Sequence, residues 1–145
     1  MTLNSMITVK RIQIQDIEAS RKLLELLGRD FNKKSLEIFL SNDWNYLLIG
    51  YVDSQMGGFV IGYILDRFDN EGTMMFIWEV EVLPPFQKKG IGTAMIKNLK
   101  QLAIEKNIHK MWVLTNKNNQ GGISLYKNMG GIEPNKDDLM FEFKF

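Results

Sequence analysis

The sequence predicts an α/β (α+β) fold in which one central, mixed, mainly antiparallel sheet carries helices. Three observations lead there. Apolar and polar residues alternate at period two in several short runs, three of these follow one another across short turn signals, and amphipathic helical stretches precede and separate the rest. A chain of 145 residues has the usual size of one domain, and no Pro/Gly/Ser-rich linker divides it, so residues 1–145 are expected to form a single domain.

Met6 to Ile14 (MITVKRIQI) alternates and reads as the first strand. Asp16 is placed to cap a helix whose apolar side carries Ile17, Leu23, Leu24, Leu26 and Leu27, with Gly28 as its stop. A second short helix is expected over Ser35 to Leu40. Strand runs follow at Trp44 to Val52, Gly57 to Leu65 and Thr73 to Leu83, separated by Asp53-Ser54-Gln55 and by Asp66 to Gly72. Connections this short make an antiparallel meander. Pro84-Pro85 cannot continue a central strand, and after a glycine-containing loop a helix is expected from about Thr93 to Lys106, with Met95, Ile96, Leu99, Leu102 and Ala103 as its buried stripe. His109 to Thr115 is a strand, 116–120 a polar loop, Ile123 to Met129 a helix and Leu139 to Phe145 an alternating closing strand. The predicted order is β-α-α-β-β-β-α-β-α-β.

Composition removes several kinds of chemistry. With no cysteine there is neither disulfide nor thiolate nucleophile nor thiolate metal site, and a lone His109 cannot build a histidine metal cluster. A formal net charge of +1 gives no whole-molecule field for nucleic acid or an anionic membrane. The aromatic residues Trp44, Tyr46, Trp112, Phe141, Phe143 and Phe145 alternate along strands without a basic stripe, which is the pattern of core or rim and not of a base-stacking platform. Met1 to Ser5 has no basic region followed by an apolar stretch, and no run approaches membrane-spanning length, so a cytoplasmic protein is expected.

The stretch EVEVLPPFQKKGIGTAMIKNL sets a strand, a two-glycine turn and a helix in succession. N–H groups of a first helical turn have no intrahelical partner and sit at the positive end of the macrodipole, so an anion fits where Gly90 and Gly92 present no Cβ and Lys88 and Lys89 add charge. Neither the G-x-x-x-x-G-K-S/T pattern nor a third glycine of G-x-G-x-x-G is present, Met95 standing where the latter would be, which argues against ATP and NAD. Alone, the loop is either an anion cradle or only a tight turn.

Immediately before it, period two places Met75, Ile77, Glu79 and Glu81 on one face of a strand and Phe76, Trp78, Val80 and Val82 on the other. An unpaired buried carboxylate is costly, so the face opens at Glu79 and Glu81, either onto a cleft or simply to solvent; nearness to the glycine loop favours a cleft. A carboxylate there would hold an ammonium and accept its proton, directly or through a water.

Gln87-x-x-Gly90-x-Gly92, after a strand ending Val82-x-Pro84 and before an amphipathic helix, resembles the acetyl-CoA signature of the GNAT superfamily of N-acetyltransferases. Asn119-x-x-Gly122-x-x-x-Tyr126-x-x-x-Gly130 is similar to the later Asn-x-x-Ala-x-x-x-Tyr-x-x-x-Gly segment of that superfamily, and element order agrees across nearly the whole chain. The resemblance implies a twisted sheet of about six to seven strands flanked by about four helices. It implies acetyl-CoA as co-substrate and acetyl transfer to a primary amine by direct attack in a ternary complex. It also implies backbone contacts to pantetheine from Val80 to Val82, pyrophosphate contacts from Lys88, Lys89, Gly90, Ile91, Gly92 and Thr93 after Gln87, and a wedge between the strands ending at Leu83 and Thr115.

In the same pattern Asn119 positions the cofactor, although an asparagine there also caps the following helix. The Tyr126 hydroxyl protonates the leaving thiolate, although its place beside Leu125 and Met129 equally suits a core residue. Glu79 matches a strand position where small-amine acetyltransferases carry an acidic residue, and is favoured over Glu81 as base or amine anchor; the glutamate that some members carry one strand later is Leu114 here. Gly122 stands in place of the usual alanine, and Gly131 where an aromatic often follows.

Segments LLELLGRDFNKKS, FVIGYILDRFDNEG and DDLMFEF are similar to stretches of aminoglycoside 3-N-acetyltransferases, which brings Asp137 and Asp138 forward as contacts to a cationic acceptor. A small amine or a peptide amine fits equally. A non-catalytic acyl-CoA-binding regulatory module is the rival reading; the presence of Glu79, Glu81 and Tyr126 together favours an enzyme. The edge of the last strand is available to pair with a second copy in a homodimer.

Overall fold

The computed structural model describes residues 5–69 and 71–145, whose contacts sort into two compact units, one ending at Leu114 and one beginning at Thr115. In the first, β1 (Ile7–Arg11) leads through a short 3-10 turn to α1 (Ile17–Leu26) and α2 (Lys33–Ser41). The meander β2 (Asn45–Val52), β3 (Gln55–Asp66) and β4 (Thr73–Val82) follows, and α3 (Ile91–Glu105) crosses over to β5 (Ile108–Val113). The sheet order is β1-β2-β3-β4-β5, antiparallel except for the last pair. A parallel neighbour cannot be reached by a hairpin, which is why a helix separates β4 from β5.

The β2–β3 connection shows how locally this meander is determined. Val52 pairs with Gln55, so Asp53 (φ 48°) and Ser54 (φ 70°) form a two-residue loop with both residues left-handed, the turn whose twist matches that of the flanking strands. Strand β2 is apolar on both faces because both are covered. Tyr46 and Leu48 pack with Met95 and Leu99 of α3, whereas Leu47 and Ile49 pack with Leu23 of α1 and Leu40 of α2.

Helix starts lie earlier than periodicity alone suggests. Asn32, not the neighbourhood of Ser35, caps α2 by accepting a bond from the Ser35 N–H at 3.0 Å. Helix α3 begins at Ile91, two residues before the expected Thr93, because Gly90 takes the left-handed conformation (φ 88°) that turns the chain into the helix. Asp16 precedes α1 without capping it; its carboxylate accepts from Lys10 Nζ at 3.0 Å instead.

The second unit contains α4 (Gln120–Asn128), three residues earlier at its start than expected. The closing strand expected over 139–145 is not formed: these residues lie outside regular secondary structure and are exposed, so the described sheet has five strands, not six to seven. An alternating pattern assigns faces to a strand but does not supply the neighbour whose ladder would make it one.

Glycines let α3 lie directly on the sheet. A Cβ at Gly50 or Gly57 would stand 2.8 or 2.6 Å from Ile91 side-chain atoms, and one at Gly58 would stand 2.6 Å from the Glu81 carbonyl oxygen and 3.3 Å from Val82 Cα. Side chains can move aside, but the backbone of a central strand cannot do so cheaply. Gly58→Ala is therefore expected to destabilise the fold by ~1–3 kcal/mol in a urea melt, more than Gly57→Ala, whose added methyl meets only movable Ile91 and Phe86 atoms; equal melts for the two would contradict this packing.

Candidate active site

At the end of β4 the chain passes through a 3-10 turn, Pro84–Phe86, into the loop Gln87-Lys88-Lys89-Gly90 and then α3. Gln87 ties the loop down: its Nε2 donates to the Val82 carbonyl at 3.1 Å. The first intrahelical bond runs from the Ala94 N–H to the Gly90 carbonyl at 3.0 Å, so the N–H groups of Ile91, Gly92 and Thr93 precede the ladder, and no side chain caps them. A Cβ at Gly90 would find only one atom within 4 Å, the Ile7 Cδ1, so the approach to these donors is open. Ile91 is buried in the sheet and anchors the turn, Gln87, Lys88, Lys89, Gly90 and Thr93 are exposed, and Lys89 Nζ rides over the Phe86 ring at 5.8 Å. The arrangement suits a phosphate bound through backbone donors, with the lysines as flexible counter-charges.

Strand β4 has two irregularities that expose its second half. Its parallel register with β5 ends at Ile77↔Val113, so Trp78 to Val82 have no β5 partner and present a free strand edge just upstream of the loop. On the β3 side, Ile61 pairs with Glu79 but Gly62 pairs with Ile77, which leaves Trp78 as an extra residue in a β-bulge. The bulge reverses the side-chain phase and corrects the expected faces. Met75 and Ile77 share the α3 side with Val80 and Val82, while Glu79 and Glu81 stand opposite Ile61 and Phe59 on the α1/α2 side. The glutamates share a face as expected, but not with Met75 and Ile77. Since the Val80 and Val82 side chains pack toward the core, any contact they make to a ligand along this edge is through the backbone.

Arg29, which was not among the candidate residues, pairs with the two glutamates. Helix α1 ends in a Schellman motif: Gly28 (φ 65°) donates to the Glu25 carbonyl at 3.1 Å, and the Arg29 N–H donates to the Leu24 carbonyl at 2.9 Å. This fixes the direction in which the chain leaves the helix and brings the Arg29 guanidinium to β4. Its Nη1 donates to Glu79 Oε1 at 3.0 Å and its Nη2 to Glu79 Oε2 at 2.5 Å, while Nη2 lies 3.6 Å from Glu81 Oε2. The guanidinium carbon sits 5.8 Å from the centroid of the buried Phe59 ring. Hydrogen bonding to Glu79 holds the guanidinium pKa above its ordinary value, against the cost of desolvation. Glu79, with 25% of its side chain exposed, has both oxygens engaged by the fork; Glu81, 40% exposed, has one long ionic contact. A cation following directly on a helix-stopping glycine was the available signal for Arg29. Trp78, 62% exposed inside an otherwise covered strand, marks the bulge only once the structure is known.

Asn119 and Tyr126 belong to the second unit. Asn119 caps α4, its Oδ1 accepting from the Gly122 N–H at 3.0 Å and its Nδ2 donating to Thr115 Oγ1 at 2.9 Å. Tyr126 is half-buried, and burial raises its phenol pKa above the ordinary value. The helix closes as α1 does, with Gly130 (φ 90°) donating to the Lys127 carbonyl at 3.1 Å and Gly131 to the Tyr126 carbonyl at 2.8 Å. Both departures from the motif stand where a Cβ would be crowded in this structure. A Cβ at Gly122 would lie 2.4 Å from Asn119 Nδ2, and one at Gly131 2.9 Å from the Tyr126 carbonyl oxygen.

The acetyltransferase (GNAT) family model matches residues 14–130. The chain belongs to this family. It is 25% identical over 138 residues to the human spermidine/spermine N(1)-acetyltransferase-like protein 1, a match that takes in 91% of the chain but only 20% of that protein's length. Among solved structures it superposes with a TM-score of 0.84 at 17% identity on the aminoglycoside acetyltransferase meta-AAC0020 from an uncultured soil metagenomic sample, solved in complex with sisomicin, covering 95% of this chain and 97% of that one. It superposes with a TM-score of 0.77 at 18% identity on the aminoglycoside N-acetyltransferase AAC(6')-Iy solved in complex with CoA, covering 99% and 98%. The chain thus has the GNAT fold, which these aminoglycoside acetyltransferases share. No described helix is long and apolar enough to cross a membrane, and no three described His, Asp or Glu side chains are grouped to hold a metal ion.

Replacing Gly122 by alanine, the residue usual in this family, is expected to displace the Asn119 amide and cost the cap, about 0.5–2 kcal/mol in a thermal or urea melt. The double variant Gly122→Ala/Asn119→Ala should be no less stable than Asn119→Ala alone; a further loss would show that Gly122 matters for another reason.

Proposed function

We propose that this GNAT chain transfers the acetyl group of acetyl-CoA to a primary amine by direct attack in a ternary complex. The observation that carries the reading is the free edge of β4 running straight into the uncapped start of α3. The edge suits the amide groups of a pantetheine arm and the N–H groups of Ile91, Gly92 and Thr93 suit a pyrophosphate, with Gln87 fixing the loop and Lys88 and Lys89 supplying charge.

The acidic pair beside that edge supplies the acceptor chemistry. An alkylammonium with a pKa of about 10.4 must lose a proton before it attacks. Of the two glutamates, Glu81 has the more accessible carboxylate, so it receives the ammonium and takes its proton directly or through a water, while Glu79 is held by Arg29. The amine nitrogen then bonds to the thioester carbon. Negative charge on the carbonyl oxygen develops beside the bulge at Trp78, where backbone groups stand outside the regular β3 ladder. When the C–S bond breaks, the thiolate takes a proton from the Tyr126 phenol, which its raised pKa keeps protonated across the neutral range, and the nitrogen's second proton restores the phenol or leaves to solvent. Asn119 acts on this chemistry by holding the start of the helix that carries Tyr126. A small primary amine that places one ammonium on Glu81 is the acceptor class, and a peptide amine is the alternative.

Thiol release from acetyl-CoA, measured with alkylamines, polyamines, aminoglycosides and peptide N-termini, tests the proposal. Release with at least one amine class is expected, and CoA binding without release for any of them would leave only a binding module. Glu81→Gln is expected to lower kcat/KM by ~10²-fold near pH 7. Because free amine rises toward its pKa of about 10.4, that deficit should shrink by pH ~9.5; a pH-independent deficit would remove Glu81 as the base. Tyr126→Phe should slow turnover by about ten- to a hundredfold without changing the KM for acetyl-CoA, since a thiol of pKa about 8.5 needs only modest help to leave.

A further inference from the structure

Two carboxylates two residues apart on one strand face lie close enough for a short diammonium to bridge them, and unpaired they would make a site selective for dications. Here the site contains its own cation. Arg29 occupies both oxygens of Glu79, reaches to 3.6 Å from Glu81 and lies over Phe59, and its backbone is pinned by the Schellman bonds at the end of α1. Two negative charges and one positive leave the cluster with one negative charge to offer.

We propose that Arg29 is a specificity-determining residue of the acceptor site: it stands in for a second ammonium on Glu79, so that the site takes one ammonium on Glu81 and disfavours acceptors that carry another a few carbons away. This rests on the acceptor amine binding at the β4 acidic pair, as proposed above. A diammonium must either displace a bidentate, partly desolvated guanidinium or place its second charge beside it, and both cost affinity relative to a monoamine of the same length. Attraction between a fixed cation and a second ammonium is absent at every approach, whereas an acceptor with an uncharged or anionic group at that distance meets the remaining guanidinium N–H donors.

Butylamine and 1,4-diaminobutane, which differ by one charged group, test the idea in the wild type and in Arg29→Gln. The ratio of kcat/KM for the diamine over the monoamine is expected to rise about three- to tenfold in the variant, through a lower KM for the diamine, and to fall back as salt is raised. Arg29→Met keeps an apolar stem against Phe59 and repeats the measurement should the glutamine variant melt early. Calorimetric titration of the diamine into the CoA-loaded protein reads the same effect without turnover, with tighter binding expected in both variants. An unchanged ratio together with unchanged diamine affinity overturns the assignment. Absence of thiol release from the wild type with either amine would count against the transferase reading, while tighter diamine binding to the variants would still support Arg29.

Discussion

One extra residue in β4 determines what the rest of this molecule can present. Upstream of Trp78 the strand is sealed, with Met75 and Ile77 in the core under α3, and β3 and β5 on either side. At Trp78 the antiparallel register slips by one and the pairing with β5 has just ended. Downstream, the phase is inverted, so that Val80 and Val82 continue the α3-side core while Glu79 and Glu81 turn to the α1/α2 side. Without the slip, period two would drive both carboxylates into the cluster around Met95 and Leu99, where an unpaired charge is prohibitively costly. The bulge therefore makes an apolar core and an acidic site compatible on a single strand.

This also defines what sequence reasoning reached. The meander, the crossover helix, the glycine loop and its neighbouring carboxylates follow from alternation, proline placement and turn chemistry, signals carried by a few adjacent residues. The bulge does not, because the string from Met75 to Val82 alternates equally well with or without a slipped register; only the partner strand distinguishes them. Arg29 was illegible for a related reason, since its role depends on a contact fifty residues distant in the chain, although the Gly28 that aims it was legible as a helix stop. The alternation of 139–145 misled in the opposite direction, promising a strand that the described structure does not form.

Three glycines of β2 and β3, Gly50, Gly57 and Gly58, connect the two halves of the candidate site. Gly50 and Gly57 allow Ile91 to seat the first turn of α3 against the sheet, which sets where its free N–H groups point; Gly58 allows β3 to pass close to the Glu81 and Val82 backbone, which sets where the β4 edge ends. Strand β3 is thus the shared reference for the anion cradle on one side and, through Phe59 and Ile61, for the acidic pair and its arginine on the other. The proposed acyl transfer needs its two substrates held to within about 0.5 Å of the productive geometry, and loops alone rarely give that precision. Both elements of the candidate site are anchored to one close-packed central strand, the kind of support that such precision requires.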